Sequence, residues 1–289
     1  MTHHIQNAAL GTILAGALAV PAVAQEGQPI AVQMYTLRDL GTLEEQLQAV
    51  EDAGVTAIET VGTQEVSAED LNSMLDEHGI EVVSSHVQLA TLRNELDEAV
   101  AFNKAIGNDT ITVPYLPEDQ RPTDAAGWQE LGEELGGIAA ELAEEDMRLG
   151  YHNHDFEMVD YDGETALEIM FEAAGPDVLA QIDLAWVDRG GHDPAEYLRT
   201  IGDRVFAVHA KDNAPDGENE DQRGFAAVGA GTLDWPSILD AAQEVGVEWY
   251  IIEHDLPADA AGVIAEGADF LREELPAHAA SNSRTSPMR

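Results

Sequence analysis

Apolar residues recur along this chain in two rhythms. Short runs rich in β-branched and aromatic residues occupy 30–35 (IAVQMY), 56–60 (TAIET), 81–86 (EVVSSH), 110–114 (TITVP), 148–152 (RLGYH), 179–183 (LAQID), 205–209 (VFAVH) and 249–253 (WYIIE). Between them lie longer amphipathic segments such as 43–53, 68–78 and 258–274. The first rhythm predicts strands and the second helices. Their alternation, eight times over, predicts a parallel sheet with helical crossovers.

Polar residues punctuate most strand ends: Gln33, Glu59, His86, His152, Asp183, His209 and Glu253. The steps from Gln33 to Glu59 to His86 are 26 and 27 residues, and those from His152 to Asp183 to His209 are 31 and 26, each suited to one βα unit. The step from His209 to Glu253 is 44, and its surplus falls in the acidic, Gly-rich loop 212–231. An open doubly wound sheet would carry a Gly-rich phosphate turn after its first strand; the residues there are TLRDLG, without a G-x-G. The expectation is therefore an α/β fold, a single-domain (β/α)8 TIM barrel over residues 28–275, with a flexible tail at 276–289. In such a barrel the C-terminal strand ends form the active-site face.

The stretch 150–158 reads GYHNHDFEM. If the strand continues through it, a period of two puts His152 and His154 on one face and Asn153 on the other. Two imidazoles facing one way suggest a site, although a hydrogen-bonded or exposed pair would read the same. The late strand ends supply His152 (with His154), Asp183, His209 and Glu253 to one mouth. Three or four nitrogen and oxygen donors of this kind suit one divalent metal, Mn, Co, Zn or Fe. The absence of cysteine excludes a thiolate site, thiol catalysis and disulfides.

Charge narrows the partners. Thirteen Lys plus Arg stand against 56 Asp plus Glu, a net charge of −43, with only Lys104 and Lys211 as lysines. Such a surface repels phosphate backbones, so no nucleic-acid partner is expected. The carboxylates are spread over helix-like segments and the apolar periodicity persists, which excludes a disordered acidic protein. The composition fits a halophilic chain, in which salt screens self-repulsion. At the start, the apolar run 8–20 (AALGTILAGALAV), Pro21 and AVA at 22–24 predict a cleavable signal peptide over 1–24 and export to the periplasm or beyond, although 1–7 lacks Lys and Arg. The run is too short for a permanent membrane span.

Seven motifs in order, VQMYTLRD (32–39), GVTAIE (54–59), YHNHDFE (151–157), IDLAWVDRGGHDP (182–194), VHAKD (208–212), VGAGTLDW (228–235) and IIEHD (251–255), resemble the sugar phosphate isomerase/epimerase superfamily. Its members are xylose-isomerase-like TIM barrels that include inosose dehydratases and 3-keto-glycoside lyases. The resemblance implies one divalent metal held by Glu, Asp, His and Glu from the fifth to eighth strands. Asp183, His209 and Glu253 match directly, whereas His152 stands where many relatives have the first Glu. The paired glutamates serve as acid and base in the epimerases, so this departure bears on the reaction.

The implied chemistry is proton abstraction α to the carbonyl of a sugar, as isomerisation, epimerisation or β-elimination of a keto-sugar or 3-keto-glycoside. With His152 as ligand, His154 is the candidate base, and the two roles are interchangeable at this stage. Glu253 is a ligand or acts on the opposite face. Lys211, on the face of His209, contacts a substrate oxygen or pairs with a carboxylate. The substrate-binding candidates are His86, with a capping role at its strand end as the equal alternative, Glu157, which orients His154, binds a hydroxyl or is simply exposed, Trp186 as a flat wall, and Arg38, for an anion or an acidic neighbour. Two other classes compete: a multi-zinc endonuclease, which the charge opposes, and a non-catalytic exported sugar-binding barrel. From the charge alone, the thermal midpoint is expected to rise from dilute buffer to molar salt; a flat or falling midpoint in melts across salt concentrations removes the halophile reading.

Overall fold

The computed structural model describes residues 28–275. The expected signal peptide and the expected flexible tail lie outside the described residues. Eight strands form the barrel: β1 (Ile30–Gln33), β2 (Ala57–Val61), β3 (Glu81–His86), β4 (Thr110–Val113), β5 (Arg148–His152), β6 (Val178–Asp183), β7 (Val205–Ala210) and β8 (Trp249–Ile252). Each pairs in parallel with its sequence neighbours, and β1 closes the ring against β8. The expected closed barrel is thus the observed fold.

Three strands end earlier than the apolar runs suggest, β4 by one residue, at Val113 before Pro114. β1 stops at Gln33 because the Gln33 side-chain oxygen accepts the Tyr35 N–H at 3.0 Å and the chain turns into a 3-10 segment, Met34–Leu37. β8 stops at Ile252, which leaves Glu253 one residue above the ladder.

Helices α1 (Leu43–Asp52) and α2 (Ala68–His78) start where the sequence supplies caps. Thr42 and Glu45 form a reciprocal capping box, Ser67 caps α2, and Gly79 ends it in the left-handed region. After β3 come α3 (Leu89–Asn94) and α4 (Leu96–Ala105), then α5 (Ala125–Ala143) and α6 (Ala166–Ala174), which pack closely on one another. Two short helices follow β6, α7 (Leu184–Arg189) and α8 (Pro194–Ile201); α9 (Trp235–Val245) and α10 (Ala260–Glu274) complete the ring. Their buried faces, such as Leu47 and Val50 of α1 or Leu131, Leu135 and Leu142 of α5, join the outward-facing strand residues in one core.

Inside the barrel a second, smaller apolar cluster contains Ala31, Ala57, Val83, Phe206, Ala207 and Ile251, with Leu179 and Trp249 packed against it. Three alanines leave room that Phe206 fills. Val83 and Phe206 are the residues skipped by the ladder where its register slips, opposite Ile58/Glu59 and Ala180/Gln181. Such bulges bend a strand and re-aim the side chains that follow. Above both slips the inward positions turn polar. Gly150 lies at this boundary, where an added Cβ would meet Thr112 Oγ1 at 2.8 Å and Phe206 Cε1 at 3.0 Å. Gly150→Val is expected to cost about 1–3 kcal/mol by overpacking, read as a lower urea midpoint; an unchanged midpoint means that the interior yields more than this packing implies.

Candidate active site

The inward residues of the upper strand ends form a continuous buried polar cluster. Asp183 ends β6, His209 stands one residue before the end of β7, and His152 ends β5. Donor atoms of His152, Asp183, His209 and Glu253 all lie within 4.8 Å of one another, and all four residues are buried. A second set of the same kind, His86, His152 and His209, shares two members with the first, so the two are alternatives. Both ring nitrogens of His86 are engaged: Nδ1 lies 3.0 Å from Gln33 Nε2, and Nε2 lies 2.8 Å from Gln181 Oε1. His152 Nδ1, in contrast, is buried without a hydrogen-bond partner among the described residues. His152 belongs to both sets, so the engagement of His86 is what favours the first as the ligand group.

Electrostatics agrees. Burial, reinforced by the neighbouring His209, drives the His152 pKa well below the usual imidazole value, which leaves a neutral ring with a lone pair to offer. Burial raises Asp183 to about 6. For Glu253 burial acts upward too, but Lys211 and His209 outweigh it and hold the carboxylate ionised, well below the ordinary range. Two imidazoles and two carboxylates are a donor set that zinc, manganese, cobalt and iron accept.

Lys211 sits just above β7 with its side chain 1% exposed. Its Nζ lies 3.0 Å from Asp183 Oδ2 and 2.7 Å from Glu253 Oε2, and it also pairs with Asp255. Burial lowers a lysine pKa, but the three carboxylates reverse the sign and hold this one above its ordinary value. Lys211 thus pairs with carboxylates, the second of the two roles open to it in the sequence. Arg223 Nη1, 2.7 Å from Asp255 Oδ2, extends the ion-pair chain to the rim.

β5 stops at His152, yet the chain stays extended through His154 (φ −119°, ψ −165°), so the two histidines keep their shared face. Asn153 takes the opposite side, where its Oδ1 accepts the Asp183 N–H at 2.9 Å. His154 lies among Tyr115, Phe156 and Trp186, at ring separations of 5.0, 5.7 and 5.3 Å. Burial first, and then the charge of Lys211, lower its pKa to about 3; its Nδ1 has no partner among the described residues. Beneath it, the fully buried Glu157 accepts the Tyr151 hydroxyl and the His154 backbone N–H, both at 2.8 Å. Glu157 therefore fastens the segment that carries His154.

The site opens through a cavity of about 380 Å³ whose walls include Tyr35, His86, Tyr115, His152, His154, Arg223 and Glu253. A larger concavity, about 790 Å³, lies alongside within the 212–231 loop, but it contains none of the clustered donors. Trp186 stands behind His154 and is not among the residues lining the smaller cavity. Arg38 is likewise outside it; its guanidinium donates to the Tyr35 and Asp255 carbonyls, each at 2.6 Å, and ties two loops together. Trp235 is core, its Nε1 donating to Asp212 Oδ2 at 2.7 Å.

Several residues given no role above belong to the cluster. Glu59, Gln33 and Gln181 form its floor, and Asp255 stands beside Lys211. Gln181 and Asp255 are two positions from Asp183 and Glu253, so strand parity was the signal for them; Tyr35, Tyr115 and Arg223, on loops, carried none.

A parallel eight-stranded barrel with a buried His/Asp/Glu cluster at its C-terminal mouth, able to hold a metal ion, places the chain in the class of TIM barrels. Within that class, the chain belongs to the xylose isomerase-like TIM barrel family, whose model matches residues 47–274. Among solved structures it is similar to a sugar phosphate isomerase/epimerase from Parabacteroides distasonis, at 21% identity over 90% of this chain and 99% of that one, with a TM-score of 0.70. It is also similar to the IolI protein with a bound zinc atom (16% identity, 85% and 97% coverage, TM-score 0.67) and to an AP endonuclease of family 2 from Brucella melitensis (14%, 85% and 98%, 0.63). No curated protein matches the chain. At these identities the structural likeness is one of fold.

Burial pushes Glu157 up from 4.5 to about 8. Its folded pKa exceeds its unfolded one, so across that window the native state holds a proton the unfolded chain has released, and stability falls as pH rises. Glu157→Gln removes the ionisation and is expected to flatten this part of the stability profile. Urea unfolding at about pH 5 and pH 8 checks it, and equal slopes in both proteins contradict the assignment.

Proposed function

We propose that the protein is a divalent-metal-dependent enzyme that abstracts a proton α to the carbonyl of a keto-sugar or 3-keto-glycoside, leading to isomerisation, epimerisation or β-elimination. The observation that carries this reading is the convergence of the His152, Asp183, His209 and Glu253 donors within 4.8 Å beside His154, which lines the same cavity as His152 and Glu253. The family and the zinc-bearing relative support it. The cation would be held by those four residues and would supply Lewis acidity that weakens the C–H bond next to a carbonyl.

The chain's own residues divide the remaining work. His154, neutral at physiological pH, offers its ring at the cavity wall as the acceptor for the substrate proton, while Glu157 holds its backbone. The burial that keeps it neutral also makes it a weak base, and negative charge developing on the substrate strengthens it when the proton moves. Lys211 balances the Asp183, Glu253 and Asp255 carboxylates beneath the cavity and so holds the acidic ligands in place. His86 and Tyr115 line the cavity that admits the sugar, with Tyr115 held by the Arg121 Nη2 donor at 2.6 Å. The large negative charge continues to argue against a nuclease, despite the endonuclease-like fold neighbour.

Asp183→Ala and His209→Ala are each expected to lose bound metal and activity together. His154→Ala should retain metal and lose turnover by about 100-fold or more, the usual range for a general acid or base. Elemental analysis followed by a screen of keto-sugars and 3-keto-glycosides is the measurement. A metal-free protein that still turns over, or full turnover by His154→Ala, contradicts the assignment.

A further inference from the structure

The best-satisfied charged group in the barrel is Glu59, which has no part in the chemistry above. It closes the interior from β2, directly after one register slip, and is 0% exposed. Four side-chain nitrogens from four other strands converge on its carboxylate. Gln33 Nε2 donates to Oε1 at 2.6 Å, His209 Nε2 lies 2.7 Å and His86 Nε2 3.0 Å from the same oxygen, and Gln181 Nε2 donates to Oε2 at 2.6 Å.

Two of these donors are oriented from behind. Gln33 Oε1 is occupied by the Tyr35 N–H, so its amide nitrogen must face inward. Gln181 Oε1 faces His86 Nε2, so its nitrogen must face Glu59. Gln181 also follows the second register slip. The extra residues of the two bulges, Val83 and Phe206, lie in β3 and β7, the strands that carry His86 and His209, so both bulges set the direction of donors that meet Glu59, and the carboxylate cannot turn away without leaving several buried donors unpaired.

We infer that Glu59 is a positioning residue that engages Nε2 of His209 and so presents Nδ1 as the cation ligand. With Nε2 held at 2.7 Å by Glu59, the other nitrogen faces Glu253 Oε2 at 2.9 Å, inside the donor set. An imidazole that gives one nitrogen to a cation donates its other N–H to an acceptor; a carboxylate there fixes the tautomer and ring orientation and strengthens the ligand. Glu59 supplies that acceptor from the barrel floor. The inference rests on the metal reading above and adds to it which nitrogen binds and what holds it there.

The full chain, stripped with a chelator, is titrated with Co²⁺ and followed by its visible absorption. Glu59→Gln is expected to bind Co²⁺ 10- to 100-fold more weakly than wild type, the usual consequence of losing such a partner, with a shifted ligand-field spectrum and a cooperative melt. In parallel, ¹⁵N spectra of Zn²⁺-loaded wild type should show His209 with a protonated Nε2 and a metal-shifted Nδ1. Wild-type affinity and spectrum in Glu59→Gln, or Nε2 as the metal-bound nitrogen, overturns the inference and leaves the metal reading standing. If Glu59→Gln does not fold, the ¹⁵N spectrum of the wild type decides alone. A wild type that binds neither ion removes the metal reading, and this inference with it.

Discussion

A buried ionisable layer is tolerable only if every charge in it finds a partner, and this barrel is organised around that constraint. Glu59, Asp183, His209, Lys211 and Glu253 are all within a few per cent of complete burial. Removing one member of such a pair costs about 3–5 kcal/mol, because it strands the other. The interior meets the constraint by reciprocity: His209 bridges Glu59 and Glu253, and Lys211 bridges Asp183, Glu253 and Asp255. The apolar floor of alanines and Phe206 below excludes water and makes each of these contacts strong.

The loops extend the same logic outward. Asp212, just above β7, accepts backbone N–H groups from Gly229, Gly231 and Leu233 as well as the Trp235 indole, and so pins the return of the long acidic loop. That loop delivers Arg223 to the rim in a left-handed conformation (φ 60°), unusual for a residue with a side chain, and Arg223 there pairs with Asp255. A strained residue held at the mouth by an ion pair is a feature of positioning, since a solvated loop would relax it. Arg189 ties the other side of the loop by donating to the Arg223 and Gly224 carbonyls, each at 2.9 Å.

The two histidines of the GYHNHDFEM stretch show how one local pattern acquires two environments. His152 ends a strand and faces Asp183 and His209, whereas His154, two residues above the ladder, is enclosed by aromatic rings from three different segments. Their common face follows from backbone geometry. Their different neighbours follow from β4, β6 and β7 and the loops above them.

Alternating apolar rhythm determined the eight strands, their parallel arrangement and the barrel, because period and connection length are local properties that a closed sheet must satisfy. It also determined which strand-end residues share the mouth, since parity along a strand is a property of the chain alone. The tertiary structure decided the pairing. Glu59 and His209 are 150 residues apart, and Glu59 and Gln181 are 122 apart, and their contacts depend on two register slips that leave no mark in composition or spacing. It decided as well that Lys211 faces three carboxylates and that Trp186 backs His154 without reaching the cavity. These outcomes are set by strand closure, bulge position and the need to neutralise buried charge, which act between segments remote in sequence.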